Sequence, residues 1–268
     1  MRPEGHPEAN QPRSAKLLTE MTTSTFRDDL YAGRVALVSG GTSGIGAGIA
    51  DALARCGAAV TVTGATNDEA EAARIEPSFR CRDARTLDVR DAEAIAKLMA
   101  ELPRLDILVN CAGIIRRGSE HDPAVFADVV DVNLTGTMRL CAAARPLLAR
   151  TSGCIVNTAS VLSFSGGGLV PGYSASKGGV AQLTKSLAIA YAVDRIRVNA
   201  IAPGWVATRL TQPLQDDAGR SAAILARTPL GRWGRPDDIA GAAVFLCSPA
   251  ALFITGAVMP VDGGYLVT

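Results

Sequence analysis

The sequence predicts an α/β fold, in which one doubly wound parallel sheet of about seven strands carries helices on both faces. Three observations support this prediction. Short β-branched apolar runs recur along the chain, Ala- and Leu-rich segments with helical spacing separate them, and a glycine-rich turn directly follows the first apolar run. Apolar strands that alternate with helices are typical of a parallel sheet that is buried on both faces.

The first predicted strand is Val35–Ser39, an apolar run that ends at a pair of glycines. Further strands of the same character are predicted at 59–63, 105–110, 154–158, 196–201 and 257–261, with a weaker candidate at 86–89. Helical spacing predicts helices at about 44–56, 91–101, 124–150, 173–192 and 237–247. Because no internal repeat and no linker interrupt this alternation, we predict a single catalytic domain over residues 31–268.

The N-terminal segment, residues 1–30, is predicted to be a disordered tail. Up to about Arg27 it is polar, rich in Pro, Glu and Ser, and it lacks the apolar region of a signal peptide. Met21 could be the true start of the protein, and the sequence leaves open whether residues 1–20 belong to it. No uninterrupted apolar stretch reaches the roughly 18 residues that a membrane span needs.

Composition narrows the possible functions. Hydrophobic residues make up 48% of the 268 residues, which is enough for a sizeable core, and 27 basic residues nearly balance 26 acidic ones. This balance argues against a nucleic-acid or membrane-surface binder. The six cysteines form no C-x-x-C pair and mostly lie in apolar runs, which favours reduced thiols in a cytoplasmic protein. Neither His6 nor His121 has metal-ligand spacing around it, so no metal site is predicted.

The glycine-rich turn between the first strand and the first helix predicts a phosphate-binding loop. Glycine allows a sharp turn and a close backbone approach, and the following helix presents free N–H groups and a positive dipole end to a pyrophosphate. The residues predicted to contact a dinucleotide here are Gly40, Thr42, Ser43, Gly44, Ile45 and Gly46.

The adenosine end of the predicted site has no obvious charge partner. The tip of the second strand, residues 63–67, contains no acid before Asp68 and no Arg or Lys. Small polar residues leave room for a 2′-phosphate, which favours NADP slightly and leaves NAD open. Asp68 could instead cap the next helix. Asp88 and Val89, after the third strand, could contact the adenine, although Asp88 could also be a helix N-cap, a role for which Asp91 competes.

A second motif, Tyr173-x-x-x-Lys177, begins a predicted helix. Residues four apart lie on one helix face, and a nearby ammonium favours the phenolate over the phenol, whose pKa is otherwise about 10. The pair is therefore a candidate general acid/base for an alcohol or a carbonyl. Ser160 follows the strand 154–158, where its hydroxyl could bind the substrate oxygen. A turn serine is the alternative, and Ser163 and Ser165 compete for the role.

These motifs, taken in order, resemble a classical short-chain dehydrogenase/reductase from about Arg34 to the C-terminus. The resemblance is carried by Gly40-x-x-x-Gly44-Ile-Gly46, Asn110-Cys-Ala-Gly113, Asp131-Val-Asn-Leu134, Ser160, Tyr173-x-x-x-Lys177, Pro203-Gly204 and Val261-Asp-Gly-Gly264. It implies a single-domain Rossmann fold and an NAD(P)-dependent enzyme that interconverts a secondary alcohol and a ketone. The nearest branches are the gluconate or 2-deoxygluconate dehydrogenases and the 3-oxoacyl-ACP reductases.

The same resemblance implies roles for single residues. Tyr173 would be the catalytic acid/base, Ser160 would polarise the substrate, and Lys177 would hold the nicotinamide ribose and lower the Tyr173 pKa. Asn133 would position a water that connects Lys177 to solvent. Further cofactor contacts would come from Asn110, Ala112, Gly113, Pro203, Gly204, Val206 and Thr208. Two positions depart from the commonest family pattern: Ser39 replaces a Thr, and Cys111 replaces an Asn.

Substrate and assembly are predicted mainly from the gluconate-like branch. Arg116 and Arg117 follow the Asn110–Gly113 turn and could bind a substrate carboxylate, or form a solvated surface pair. We expect a keto or hydroxy sugar acid as substrate, with a 3-oxoacyl thioester as the alternative and a non-catalytic NADP(H)-sensing regulator as an alternative of another class. The segment 208–228 is predicted to be a mobile lid. The resemblance also implies a homotetramer.

Overall fold

The computed structural model describes residues 25–81 and 83–268. Its centre is one sheet of seven parallel strands, in the order β3-β2-β1-β4-β5-β6-β7. The strands are β1 Val35–Ser39, β2 Ala59–Gly64, β3 Asp83–Thr86, β4 Ile107–Asn110, β5 Cys154–Thr158, β6 Arg197–Pro203 and β7 Val258–Val261. The prediction of a doubly wound α/β fold of the Rossmann type is confirmed.

Helices connect the strands and cover both faces of the sheet. They are α1 Gly44–Arg55, α2 Asn67–Ile75, α3 Ala92–Glu101, α4 Pro123–Val130, α5 Gly136–Thr151, α6 Pro171–Ala190, α7 Gln212–Gln215, α8 Ala218–Ala226 and α9 Pro236–Cys247. No helix within residues 25–81 and 83–268 is long and apolar enough to cross a membrane.

Alternating side chains of the central strands bury two apolar layers. On one face, Val38 and Val109 pack with Ile49 of α1 and Val244 of α9. On the other face, side chains such as Leu37 pack with residues of α3, α5 and α6. Strands buried on both faces need apolar residues at successive positions, because neighbouring side chains point to opposite sides. This requirement explains the near-continuous apolar runs in the sequence.

The strand order reverses at β1, whose neighbours are β2 on one side and β4 on the other. The connections that leave these strands therefore run to opposite faces of the sheet. A crevice opens at the carboxyl ends of the strands at such a switch point, and ligands of open α/β sheets bind there. The glycine-rich turn and the Asn110–Gly113 turn both begin at this edge.

Three predicted elements differ from the structure. The third strand is Asp83–Thr86 rather than 86–89. It was missed because it is an edge strand that pairs with β2 alone and carries charged side chains, so its sequence is not an apolar run. The predicted helix 124–150 is interrupted by a π-helical turn, Asp131–Thr135. The predicted lid 208–228 contains the short helices α7 and α8.

The structure also decides the alternative role of Asp68 and shows that the packed part of the chain begins before residue 31. Helix α2 begins after Thr66, whose hydroxyl caps it, so Asp68 lies in the first turn and is not the cap. Phe26 and Leu30 pack against the core although both precede the predicted boundary at residue 31. The rest of the predicted tail, up to residue 24, lies outside the described residues, as does the question of residues 1–20.

Candidate active site

The loop between β1 and α1 can only be built from glycine at its key positions. Gly40 has a φ of +64°, and a Cβ there would lie 2.6 Å from the backbone nitrogen of Ala112. Gly44 has a φ of +55°. A Cβ on Gly46 would overlap the carbonyl oxygen of Gly40 and lie 2.9 Å from its carbonyl carbon. The loop is therefore folded tightly on itself and against the turn after β4, as a pyrophosphate cradle requires.

Helix α1 begins at this loop without a side-chain cap. Ser43 occupies the N-cap position in an extended conformation, but its hydroxyl accepts no hydrogen bond from the first turn. An uncapped helix start presents free N–H groups and the positive end of the helix dipole to an anion. Thr208 flanks the loop, with its Cγ2 3.5 Å from the Cβ position of Gly44. The residues present fit the diphosphate of a dinucleotide.

The adenosine end contains an acid that the strand sequence did not reveal. Glu69, in the first turn of α2, reaches back so that its Oε2 accepts the N–H of Ala65 at 2.6 Å. The same Oε2 and the Thr42 hydroxyl lie 3.0 Å and 2.9 Å from the Cβ position of Gly64. The spacing Thr66-x-x-Glu69 is a helix-start signature and could have predicted this fold-back. A carboxylate therefore stands at the tip of β2.

Asp88 is not a helix cap. Both of its carboxylate oxygens accept from the guanidinium of Arg90, at 2.7 to 3.1 Å, and this pairing lowers the Asp88 pKa. Asp91 is the N-cap of α3, with Oδ1 accepting two backbone N–H groups at 2.9 Å. Val89 is buried and packs against the position of Gly136. An adenine contact by Asp88 would therefore compete with Arg90.

The turn after β4 closes the floor of the crevice. Ser39 accepts the N–H of Cys111 with its carbonyl at 3.0 Å and that of Ala112 with its hydroxyl at 3.5 Å. The side chain of Asn110 is buried and donates to Asn157 Oδ1 at 2.9 Å. Any contact of Asn110 with a cofactor would therefore come from its main chain.

A buried polar ladder extends from this turn to the helix that carries the Tyr and Lys. Asn157 on β5 accepts from Asn110 and donates to the Thr184 hydroxyl of α6 at 3.0 Å. Thr184 in turn donates to the carbonyl of Val180 at 2.8 Å. The ladder fixes α6 against the carboxyl half of the sheet, because a buried amide needs its partners.

Tyr173 and Lys177 lie together in the first two turns of α6. The Lys177 side chain is buried, its Nζ donates to the carbonyl of Thr158 at 2.7 Å, and it lies 5.6 Å from the centre of the Tyr173 ring. Burial lowers the pKa of Lys177 to about 8, which the nearby Cys111 thiol partly opposes. Burial also raises the Cys111 pKa to about 11.

The sequence predicts that Lys177 lowers the pKa of Tyr173, but the net shift in the structure is upward. Burial of the phenol raises the pKa most, a hydrogen bond with Ser160 lowers it, Glu120 raises it and Arg117 lowers it. The physical reason is that burial outweighs the groups that lower the pKa, and Lys177 does not oppose it because its ammonium donates to the carbonyl of Thr158.

Ser160 is the serine that meets the phenol. Its hydroxyl also accepts the N–H of Leu162 at 3.1 Å, so it is both a turn serine and a partner of Tyr173. Ser163 accepts the N–H of Ser160 at 3.1 Å and donates to the carbonyl of Lys177 at 2.7 Å. Ser165 donates to a backbone carbonyl. Ser163 therefore ties the Ser160 turn to the helix, and neither competitor replaces Ser160.

Asn133 lies in the π-helical turn and is fully buried. Its Oδ1 accepts the N–H of Ile114 at 2.8 Å. Its Nδ2 donates to the carbonyl of Ile114 at 2.9 Å and to the Ser176 hydroxyl at 3.0 Å. The Cβ position of Gly113 lies 3.2 Å from Asn133 Oδ1 and 3.7 Å from Lys177 Nζ. The structure thus places Asn133 beside the lysine, with its side chain holding the turn after β4.

The remaining predicted cofactor residues line the segment after β6. Gly204 donates to the carbonyl of Val261 at 3.0 Å, and a Cβ on it would lie 2.7 Å from Asp262 Cα. Pro203 ends β6, and Val206 is buried. Thr208 begins a short 3-10 turn and faces Gly44 across the crevice.

Arg116 and Arg117 are exposed at the mouth of the crevice. The charge of Arg117 lowers the pKa of the Tyr173 phenol. The sequence analysis missed Glu120, which is 1% exposed. Its Oε1 accepts the N–H of Arg116 and its Oε2 accepts the N–H of Tyr173, both at 2.7 Å.

Comparisons with known proteins agree with this geometry. The family model described as enoyl-(acyl carrier protein) reductase matches residues 40–266. A 2-dehydro-3-deoxy-D-gluconate 5-dehydrogenase of Bacillus subtilis is 47% identical over 241 residues, covering 87% of this chain and 95% of the relative. The chain belongs to the short-chain dehydrogenase/reductase family. It is an NAD(P)-dependent oxidoreductase that acts on CH–OH groups, as predicted.

Two further members of the family are similar along most of the chain. A cis-4-hydroxycyclohexanecarboxylate dehydrogenase of Sinomonas cyclohexanicum is 44% identical over 249 residues, covering 88% of this chain and 98% of the relative. A structure from Agrobacterium tumefaciens, assigned as a 2-deoxy-D-gluconate 3-dehydrogenase with bound NADP, has a TM-score of 0.81 and 43% identity. It covers 90% of this chain and 99% of the other.

Proposed function

We propose that this short-chain dehydrogenase/reductase interconverts a secondary hydroxyl and a ketone on a sugar acid, of the class that includes 2-dehydro-3-deoxy-D-gluconate. We propose NADP as its preferred cofactor because similar structures hold NADP, although the Glu69 carboxylate at the tip of β2 opposes a 2′-phosphate. The observation that carries the proposal is the convergence of a phenol, a hydroxyl and a buried ammonium beside two exposed arginines. The relatives named for 2-dehydro-3-deoxy-D-gluconate and for a hydroxycyclohexanecarboxylate share a substrate with a secondary hydroxyl and a carboxylate.

The chemistry divides between the cofactor and the side chains. When bound, the nicotinamide accepts or supplies the hydride. In oxidation, Tyr173 accepts the proton of the substrate hydroxyl, and in reduction it returns that proton to the alkoxide that develops on the carbonyl oxygen. The single O–H of Ser160 stabilises the Tyr173 phenolate before the substrate binds and donates to the substrate oxygen afterwards. The alcohol thus loses one hydride, which the nicotinamide would take, and one proton, which Tyr173 takes.

Lys177 and Asn133 support the acid/base rather than react. The Lys177 ammonium donates to the carbonyl of Thr158 and lies 5.6 Å from the centre of the Tyr173 ring. From there it can donate to the hydroxyls of a nicotinamide ribose. Asn133 holds the turn that contains Gly113, and so keeps the wall beside Lys177 in place.

Arg117 is the proposed carboxylate partner of the substrate. Its charge lies within reach of Tyr173, so a bound sugar acid could place its hydroxyl on the phenol and its carboxylate on the guanidinium. A guanidinium is suited to this task because it offers two parallel N–H donors. Arg116 has its backbone fixed by Glu120, which makes it the second candidate.

The test is a kinetic panel followed by nicotinamide absorbance, with NADP and NAD and with sugar acids, ketones without a carboxylate and acyl thioesters. We expect the highest kcat/KM with NADP and a sugar acid. Arg117→Gln should raise KM for the sugar acid about tenfold or more and leave a substrate without a carboxylate unchanged. Preference for an acyl thioester, or an equal effect of Arg117→Gln on both substrates, would contradict the proposal. NADPH binding with no turnover in the panel would favour a regulator.

Assembly and location are also part of the proposal. We infer a homotetramer formed through α4, α5, α6 and β7, as the resemblance to the family implies. Apolar side chains are exposed on or near these elements: Ile189 of α6 is 81% exposed, and Phe253, which precedes β7, is 104% exposed. All six cysteines are free thiols, which supports a reducing, cytoplasmic location. Light scattering that showed a monomer would contradict the tetramer.

A further inference from the structure

The segment that carries the two arginines is fastened to the segment that leads into α6. Gly118 donates its N–H to the carbonyl of Leu169 at 2.8 Å. A ring nitrogen of His121 lies 2.9 Å from the carbonyl oxygen of Gly168. Both contacts join residues near 120 to residues just before the helix, so the two segments lie side by side for several residues.

Glu120 is the buried link in this arrangement. Its carboxylate is 1% exposed and accepts one backbone N–H from each segment, that of Arg116 and that of Tyr173, both at 2.7 Å. Burying a carboxylate costs several kcal/mol unless its oxygens accept good hydrogen bonds. Two short charge-assisted bonds to backbone donors meet this need, and they fix both backbone positions relative to one rigid group.

Glu120 accepts the N–H of Tyr173 in the first turn of α6, where backbone N–H groups have no acceptor within the helix. Helix α6 begins at Pro171, and its N-cap residue, Val170, has no side chain that can cap it. The N–H of Tyr173 is in the first turn and so has no partner within the helix. Glu120 supplies this partner from another segment, and its negative charge is favourable at the positive end of the helix dipole.

We propose that Glu120 is a positioning residue of the reaction, which sets the distance between the acid/base Tyr173 and the carboxylate-binding arginine segment and keeps a negative charge at the first turn of the helix that carries the phenol. This inference rests on the proposed function of Tyr173. The groups whose charges shift the pKa of the phenol are Glu120, which raises it, and Arg117, which lowers it, and a hydrogen bond with Ser160 lowers it as well. Lys177 lies 5.6 Å from the centre of the ring and donates to the carbonyl of Thr158. Removing the charge of Glu120 leaves Arg117 unopposed and favours the phenolate.

Two substitutions test the charge of Glu120 and the length of its side chain separately. Glu120→Gln keeps the length but removes the charge, and its NH2 group meets a backbone N–H that needs an acceptor. Glu120→Asp keeps the charge but is one methylene too short to bridge both donors. Asp122→Asn is the matched control, because Asp122 is an exposed carboxylate that caps α4 through the N–H groups of Ala124 and Val125.

The experiment measures the pH profile of 2-dehydro-3-deoxy-D-gluconate oxidation by NADP in the full-length protein. We expect both Glu120 variants to lose about tenfold or more in kcat, since a displacement of roughly 1 Å can cost about a hundredfold, and to raise KM. The acid limb of the profile should move to lower pH in Glu120→Gln only. NADPH affinity should stay within about twofold of wild type in both variants, and Asp122→Asn should match wild type throughout.

Wild-type kcat in Glu120→Asp, or a loss of kcat in Glu120→Gln with an unmoved acid limb, would overturn the inference. If Glu120→Gln does not fold, the kcat of Glu120→Asp still decides whether reach matters. Failure of the proposed function gives a different result: wild type would not oxidise the sugar acid, or Tyr173→Phe would remain active.

Discussion

The buried Lys177 should make the fold less stable than it would be without the charge, and this cost can be measured. We consider Lys177→Met, which keeps a long unbranched side chain and removes the ammonium. Lys177 is 4% exposed, and burial lowers its pKa from 10.5 to about 8. The single hydrogen bond to Thr158 does not offset the lost hydration.

The sign and size of the effect follow from linkage between protonation and folding. The folded pKa lies below the unfolded one, so the unfolded chain binds more protons between about pH 8 and 10.5, and stability rises with pH across this range. Below about pH 8 the whole penalty applies, which is about 3 kcal/mol for this shift. In the variant, the carbonyl of Thr158 loses its donor at a cost of about 1 kcal/mol. We therefore expect Lys177→Met to be about 2 kcal/mol more stable at pH 7.

The assay is urea denaturation of wild type and Lys177→Met at pH 7 and at pH 10.5, without cofactor. Groups common to both proteins cancel in the difference, which should shrink or reverse at the higher pH. Lys185→Met is the control, since Lys185 is exposed on the same helix and should change stability by less than about 0.5 kcal/mol. A Lys177→Met variant that is less stable at pH 7, or a difference that does not depend on pH, would refute the reasoning.

Two further predictions concern the cofactor crevice. Gly46→Ala should weaken NADPH binding about tenfold or more and destabilise the protein by about 1–3 kcal/mol, because its Cβ overlaps Gly40. Gly241→Ala, where a Cβ meets nothing within 4 Å, should instead stabilise α9 by about 0.5–1 kcal/mol without changing NADPH affinity. If calorimetry gave Gly46→Ala the same NADPH affinity as wild type, the glycine loop would not be the pyrophosphate site. Glu69→Gln should raise the ratio of NADP to NAD in kcat/KM, because a carboxylate at the tip of β2 repels a 2′-phosphate; an unchanged ratio would place the phosphate away from Glu69.

The sequence predicted most of the sheet because its physical requirements are local. A strand buried on both faces must be apolar at successive positions, as the five inner strands mostly are, and the edge strand Val258–Val261 is also apolar although it is only partly buried. The edge strand Asp83–Thr86 was misplaced because its side chains are charged and exposed. The interruption of the helix at Asp131–Thr135 was missed because the apolar spacing continues through it, and the contact of its Asn133 with Ile114 lies on another segment.

In the candidate site, too, residues in local motifs could be predicted, and residues that act through contacts with distant segments could not. Gly40, Gly46, Tyr173 and Lys177 could be proposed from the sequence, since each belongs to a short local motif, and the order of these motifs carried the family resemblance that gave them their roles. Glu120 was missed because its partners are backbone groups at Arg116 and Tyr173, and no local pattern reports a contact between distant segments. The raised pKa of Tyr173 could not be predicted either, because burial is set by the packing of the whole crevice.

The most direct measurement for the whole account is turnover by Tyr173→Phe, compared with its affinity for NADPH by fluorescence titration. The substitution removes one oxygen atom and leaves the ring that packs beside Lys177. If the phenolic oxygen transfers the proton, sugar-acid oxidation should fall by at least about a hundredfold while NADPH binds as in wild type. Turnover close to that of wild type would show that another group moves the proton.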